Sequence, residues 1–485
     1  RFLAGADCAR GEACFGGACL TAACAEAAAT SSATGCDFVA AALATPDLVA
    51  LVVTNPDADA RLRLDVTTPD GRGAATQASY TAPVPAGSMI EPATLRTALL
   101  DASGRVSADG FATAQDLELQ PGGSALLLMA PEAVGWRLRS DRPVTATQMA
   151  PPCCGDLTAA DASRLLPVTA LDGAYVAVAP PGGTLTVVGV ARATTVRLSF
   201  VSEGLRGPRG LDFDDATHAH ATLAAGAALE LRAEPGVDPT GTRIEADAPI
   251  AVFSAHACAA ALSPGDACDR VEAQLLPRSG WGRVHALVPL TTGARTAWRL
   301  VAGEAGARVR LSRRLDTLGT APATATDCVG DDRVGDDRVG DDAPDVVRVP
   351  ALGGCVLTTA EPVGLEADLP IAVVGFVTSA AGGSALVVVP PDEGRPTRAT
   401  FVAPLGFVRR TLTVVAAPGT ALRLDDAILD AAGAQAVPGA DRMMLSVPVS
   451  VGAHRVDADA PFTAYLATEG ARATVAWPVT LGVAR

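Results

Sequence analysis

The stretch "ADAPIAVFSAHAC", residues 246–258, sets an alanine, an aspartate, a variable residue and a proline directly before a short apolar strand. Nearly the same phrase recurs as "SDRPVTATQMA" from Ser140, "ADLPIAVVGFV" from Ala367 and "ADAPFTAYLAT" from Ala458. A phrase written four times is either a ligand site used four times or the punctuation of a repeated fold. Proline fixes φ and has no amide hydrogen, so it breaks a ladder where the chain must change partner or sheet. An aspartate two residues earlier can accept from backbone amides in the bend, as in an Asx-type turn. Asp141 and Pro143, Asp247 and Pro249, Asp368 and Pro370, and Asp459 and Pro461 are therefore expected to be structural corners.

Outward from each corner the pattern repeats. Upstream lie arms of alternating character: "ARLRLDV" (60–66), "TVRLSF" (195–200), "ARVRLSR" (307–313) and "ALRLDD" (421–426), with Arg63, Arg197, Arg310 and Arg423 aligned. Period-two alternation of this kind indicates strands with one buried face. Downstream, apolar runs close on Pro167, Pro277 and Pro390. Each unit holds about seven short strands in roughly 90–130 residues, the size of a small β-sandwich. Propeller blades hold four strands in about 40–50 residues. The fold expected is all-β: four tandem antiparallel β-sandwich-like repeats after a small disulfide-rich N-terminal segment. The alternative is a β-propeller-like arrangement of the repeats. The boundaries expected are 1–35 for the Cys-rich stalk, then 36–167, 168–277, 278–390 and 391–485 for the repeats.

Bulk properties narrow the function. The chain has 485 residues, 49% of them hydrophobic, with 48 Gly and 35 Pro punctuating the apolar runs. A core is affordable and global disorder is excluded. The formal net charge of −15 argues against nucleic acid and against an anionic membrane surface. No apolar run is long enough to span a bilayer. The first residue is Arg and no signal peptide is present, which reads as a mature form or excised fragment.

Eleven cysteines point outside the cytoplasm. Cys8, Cys14, Cys19, Cys24 and Cys36 crowd the start, and their spacings are not those of zinc ribbons, so disulfides are expected. Cys258 with Cys268, and Cys328 with Cys355, are candidate loop-closing bridges. One of the adjacent Cys153 and Cys154 is a candidate partner for Cys36. "LDFDDATHAH" (211–220) offers His218, His220 and Asp214 as weak metal candidates. "VGDDRVGDDRVGDDAPD" (329–345) has the carboxylates of a calcium site, but as a copied pentapeptide it reads first as a solvated insertion. No nucleophile elbow, phosphate-cradling loop or dinucleotide fingerprint occurs, so neither an enzyme nor a cofactor is expected. Trp136, Trp281, Trp298 and Trp477 read as core anchors.

In order along the chain come "GCDFVAAAL", "SDRPVTATQ", "DASRLLP", "DPTGTRIEADAPIAVFSAHAC", "ACDRVEAQLLPRSGWGRVHALVP" and "SALVVVPP…FVAP". This series resembles the IgGFc-binding family of N-terminal domains over residues 35–480. It is most specific at His256, Cys258, Cys268, Asp269, Gln274, Leu275, Pro277, Trp281 and Gly282. Cys153, Cys154, the VGDD insertion and the ending "ATVAWPVTLG" depart from the family pattern. The resemblance implies secretion, disulfides and an adhesive or structural role, with no catalytic residues to carry over. The function expected is a non-enzymatic secreted or cell-surface β-repeat protein engaging an unknown protein or glycan partner outside the cell. The alternatives are a metal-dependent hydrolase using His218 and His220, and a calcium-stiffened scaffold using the acidic insertion.

Overall fold

The computed structural model describes residues 12–15, 18–30, 32–41, 43, 49–57, 59–67, 96–100, 116–129, 135–150, 160–191, 193–208, 211–259, 269–291, 296–312, 328–330, 346–380, 383–470 and 473–482. Cys8, Cys153, Cys154, Cys268 and residues 331–345 of the acidic insertion lie outside them, as do the side chains of Cys14 and Cys19.

The corner phrase organises all four repeats. In the first, strand Gly135–Ala150 runs straight through Asp141–Pro143. Its first half lies between Thr34–Ala41 and Leu62–Thr67, and its second half between Val49–Thr54 and Asp161–Arg164. The third repeat does the same with Val363–Thr378. Its first half lies between Gly282–Leu287 and Ala307–Leu311, and its second between Thr296–Ala302 and Ser384–Val388. In the second repeat the strand is interrupted at the corner. Arg243–Ala246 belongs to one five-stranded sheet and Ile250–Ala259 to another. The fourth divides likewise, with Gly452–Ala458 in a four-stranded sheet and Phe462–Glu469 in a five-stranded one. The chain thus hands over from one layer of a sandwich to the other at Asp-x-Pro, where proline withholds the amide that would continue the first ladder.

The aspartate's role differs from an Asx turn within the bend. Its Oδ1 accepts an amide at the start of the neighbouring strand instead. Asp141 takes the N–H of Arg63 (2.8 Å), Asp247 that of Thr195 (2.8 Å), Asp368 that of Arg308 (2.8 Å) and Asp459 that of Ala421 (2.9 Å). The carboxylate replaces the backbone carbonyl that the ladder loses when the corner strand turns away. The same bonds correct the register read from sequence. Arg63 corresponds to Thr195, Arg308 and Ala421, not to Arg197, Arg310 and Arg423. Two residues before each aspartate, an oppositely charged pair faces across the ladder: Arg197 with Glu245, Arg310 with Glu366 and Arg423 with Asp457. In the first repeat the backbone partners at this position are Asp65 and Arg139.

The four sandwiches form a closed ring. One continuous core joins residues of the first three repeats, from Phe38 and Trp136 through Phe253 to Phe376. A second packs Val387 of the third repeat on Tyr465 of the fourth, and a third packs Phe401 and Trp477 of the fourth on Val52 and Leu128 of the first. Closure is completed by a bridge between Ser32 and Gly482. The sandwich describes the unit, and the units close into a ring. Trp136, Trp281, Trp298 and Trp477 are all buried.

Replacing Asp247 by Ala should lower stability by about 1 kcal/mol, the worth of one exposed hydrogen bond. Urea denaturation reads this as a lower midpoint at unchanged slope. Asp247→Asn keeps an acceptor oxygen and should lose less, and an unaltered Asp247→Ala midpoint would contradict the role.

Candidate functional site

Each repeat ends in a short strand that pairs on one side only: Asp161–Arg164, Asp269–Gln274, Ser384–Val388 and Thr474–Pro478. Their other edges turn toward the middle of the ring. Buried edges carry amides that must find acceptors, and two buried aspartates provide them. Asp161 Oδ2 accepts the N–H of Glu272 (2.8 Å) in the second repeat and of Leu386 (2.9 Å) in the third, while Oδ1 accepts from Ala162 (2.9 Å). Asp269 Oδ2 accepts from Ser384 (2.8 Å) of the third repeat and Oδ1 from Arg270 (2.9 Å). The amides of Thr474, in the fourth, and Ala160 also reach Asp269. Two side chains therefore tie four strands from four repeats.

Around them the polar groups interlock. Arg270 pairs with Glu272 at 2.8 Å, both fully buried. Gln148 donates to Glu272 (3.2 Å) and accepts from the Ala41 amide (3.0 Å). Gln274 Oε1 accepts from Leu166, and the Gln274 amide donates to Ser163 Oγ. Arg164 reaches Thr147 Oγ1, and burial pulls its guanidinium down to about 9. Of the two guanidiniums, Arg270 pairs with a carboxylate and Arg164 bonds a hydroxyl. Burial pushes Asp161, Asp269 and Glu272 upward against the amides and Arg270, and Asp269 rises to about 7.

The residues singled out for metal stand elsewhere, on strand His218–Leu223. His218 Nδ1 pairs with Asp215 (2.9 Å) and His220 Nδ1 with Asp214 (3.1 Å), two exposed and separate pairs. The hydrogen bonds from Thr217 and His218 hold Asp215 down at about 2. Among the described residues no cluster of three or more His, Cys, Asp or Glu could hold a metal. Cys24 is bonded to Cys36, tying the helix Ala22–Ala29 to the first repeat, so Cys36 is not the partner of Cys153 or Cys154. Cys328 is bonded to Cys355, and Cys258 is also disulfide-bonded, its amide donating to His256 Nδ1 (2.9 Å). Asp161, Arg270 and Glu272 were not singled out from the sequence. Their signal is charge placed inside the apolar runs that end at Leu-Leu-Pro, where solvent-facing strands would alternate.

The sequence family described as IgGFc binding protein matches residues 161–468, beginning at the first hub carboxylate. The chain belongs to the IgGFc-binding family. The human IgGFc-binding protein is 31% identical over 134 residues, which is 27% of this chain and 2% of the human protein. Among solved structures, a biofilm-associated protein BSP domain covers 93% of this chain and 96% of its own at 9% identity and a TM-score of 0.14. A Salmonella alpha-2-macroglobulin covers 93% of this chain and 33% of its own at 11% identity and a TM-score of 0.13. Scores that low bear on neither fold nor role. In this IgGFc-binding family member no helix among the described residues is long and apolar enough to cross a membrane.

Asp161→Ala would strand three buried amides and should cost at least about 3 kcal/mol. Asp269 has a protonation signature. Its folded pKa of about 7 exceeds the ordinary 3.8, so its contribution to stability is full below 3.8 and is lost as pH rises through about 7. Buried His285, pushed down by burial, acts in the opposite sense near neutrality. The test is therefore the stability gap between wild type and Asp269→Asn, which should narrow from about pH 5 to about pH 8. A gap that widens would reverse the assignment.

Proposed function

We propose that the chain is a non-enzymatic binding module of a secreted or surface-displayed protein, engaging a protein or glycan partner through the loops around its ring. The observation that carries this reading is the fate of its most reactive side chains. Asp161, Asp269, Arg270 and Glu272 are 0–1% exposed, the aspartates hydrogen-bonded to neighbouring strands and Arg270 to Glu272. A catalytic acid or base must touch substrate, and these groups hold repeats together instead. Disulfides at Cys24–Cys36 and Cys328–Cys355 suit an oxidising exterior. The family name, with its reference to the immunoglobulin Fc region, makes Fc the first partner to try. Residues 36–167, 168–277, 278–390 and 391–485 are proposed as the four repeats, with 1–35 as their stalk.

Beads coated with the full chain should attach saturably to immobilised Fc, to mucin-type glycoprotein or to an extracellular matrix preparation. Attachment should disappear after reduction in denaturant. Ester, peptide, phosphate and glycoside model substrates should remain intact on prolonged incubation. Turnover of any of them, abolished by His218→Ala or His220→Ala, would overturn the reading in favour of a hydrolase.

A further inference from the structure

Between the second and third repeats lies an open cleft of about 460 Å³. One wall is polar. Arg278 holds Glu304 with both terminal nitrogens at 2.9 Å, and Arg243 approaches Glu304 at 3.7 Å. Ser279 Oγ donates to Asp172 Oδ2 at 2.5 Å, and the Ala174 amide to Asp172 Oδ1 at 2.7 Å. The third corner phrase adds an apolar part to the lining, Leu369 and the exposed Pro370. Leu369 is 37% exposed, and the other three corners carry Arg142, Ala248 and Ala460 at this position. The cleft is thus built where one copy departs from the others. Gly303 makes room for it, since a Cβ there would come within 3.2 Å of Arg278 Nη2.

We propose that this cleft binds a neutral, polyhydroxylated ligand, a sugar residue of a glycan. An anion meets the carboxylates of Asp172 and Glu304, and a cation finds Glu304 already held by Arg278 and Asp172 already engaged by the Ser279 hydroxyl and the Ala174 amide. What remains are unused donors of Arg278 and unused lone pairs of Glu304, Asp172 and Ser279, side by side and held in place by their mutual bonds. Adjacent donors and acceptors match neighbouring hydroxyl groups, and Leu369 with Pro370 offers an apolar surface to the C–H face of a sugar ring. This inference rests on the reading that the chain binds its partner without transforming it.

The test is calorimetric titration of the full chain with methyl glycosides of glucose, galactose, mannose and N-acetylglucosamine, alongside N-acetylneuraminic acid and Nα-acetyl-argininamide. At least one neutral sugar should saturate, and the two charged compounds should not. Leu369→Asp, at an exposed position, and Ser279→Ala should each weaken binding about tenfold or more while leaving the melting temperature unchanged. Saturation by the arginine compound instead, or sugar binding indifferent to both variants, would overturn the assignment. Failure of every sugar on a chain that still attaches to Fc or matrix would refute the cleft alone. Hydrolysis of a glycoside would refute the non-enzymatic reading beneath it.

Discussion

Four strand edges buried at the centre of a ring impose the constraint on which the rest of the molecule depends. Each closing strand is paired on one side only, and the exposed row of amides that an edge strand presents is normally left to water or blunted. Here the edges meet at the centre without pairing with one another. Asp161 and Asp269 span the gaps, each accepting amides from more than one repeat. The repeats are therefore not beads on a string. Removing one repeat would take away acceptors or donors on which its neighbours' closing strands rely.

The corner phrase and the hub solve the same problem at two scales. At each corner a strand leaves its layer and an aspartate supplies the missing acceptor to the strand left behind. At the centre whole layers end, and an aspartate supplies acceptors to strands of other repeats. A carboxylate suits both places, because its two oxygens offer about four lone pairs where a carbonyl offers two on a single oxygen. Exposure separates the outcomes: the corner carboxylates lie in water, whereas burial drives Asp269 to about 7.

The corner was legible in the sequence because it is local. Asp-x-Pro before an apolar run names its own geometry, and four copies exposed the repeat. What the aspartate binds was not legible, since its partner lies on another strand and no spacing records it; hence the two-residue slip at Arg63 in the first repeat. The hub was hidden for the same reason, more severely. Asp161 and Glu272 meet only because a closed ring brings the ends of the first and second repeats together, and closure has no signature in any single repeat. His218 and His220 show the converse: a suggestive pattern that the fold splits into two exposed pairs, because Asp214 and Asp215 belong to the same turn as the histidines they satisfy.

Why the hub is ionic and not apolar follows from the symmetry of the ring. Four similar sandwiches with greasy closing strands could pack in several orders and registers, since hydrophobic contact is non-directional. Hydrogen bonds to fixed amides are directional, and a misplaced repeat would strand a buried carboxylate. The cost of burying Asp161, Asp269 and Glu272 is thus offset by discrimination against wrong arrangements, the use of buried polar groups best attested in registering similar elements. The two aspartates are not at equivalent positions of their strands: Asp161 lies opposite Ala150, and Asp269 lies opposite Ala259, beyond a register shift. That asymmetry gives the repeats distinct identities within the ring. With order fixed at the centre, the periphery is free to differ, and the corner carrying Leu369 is one place where it does.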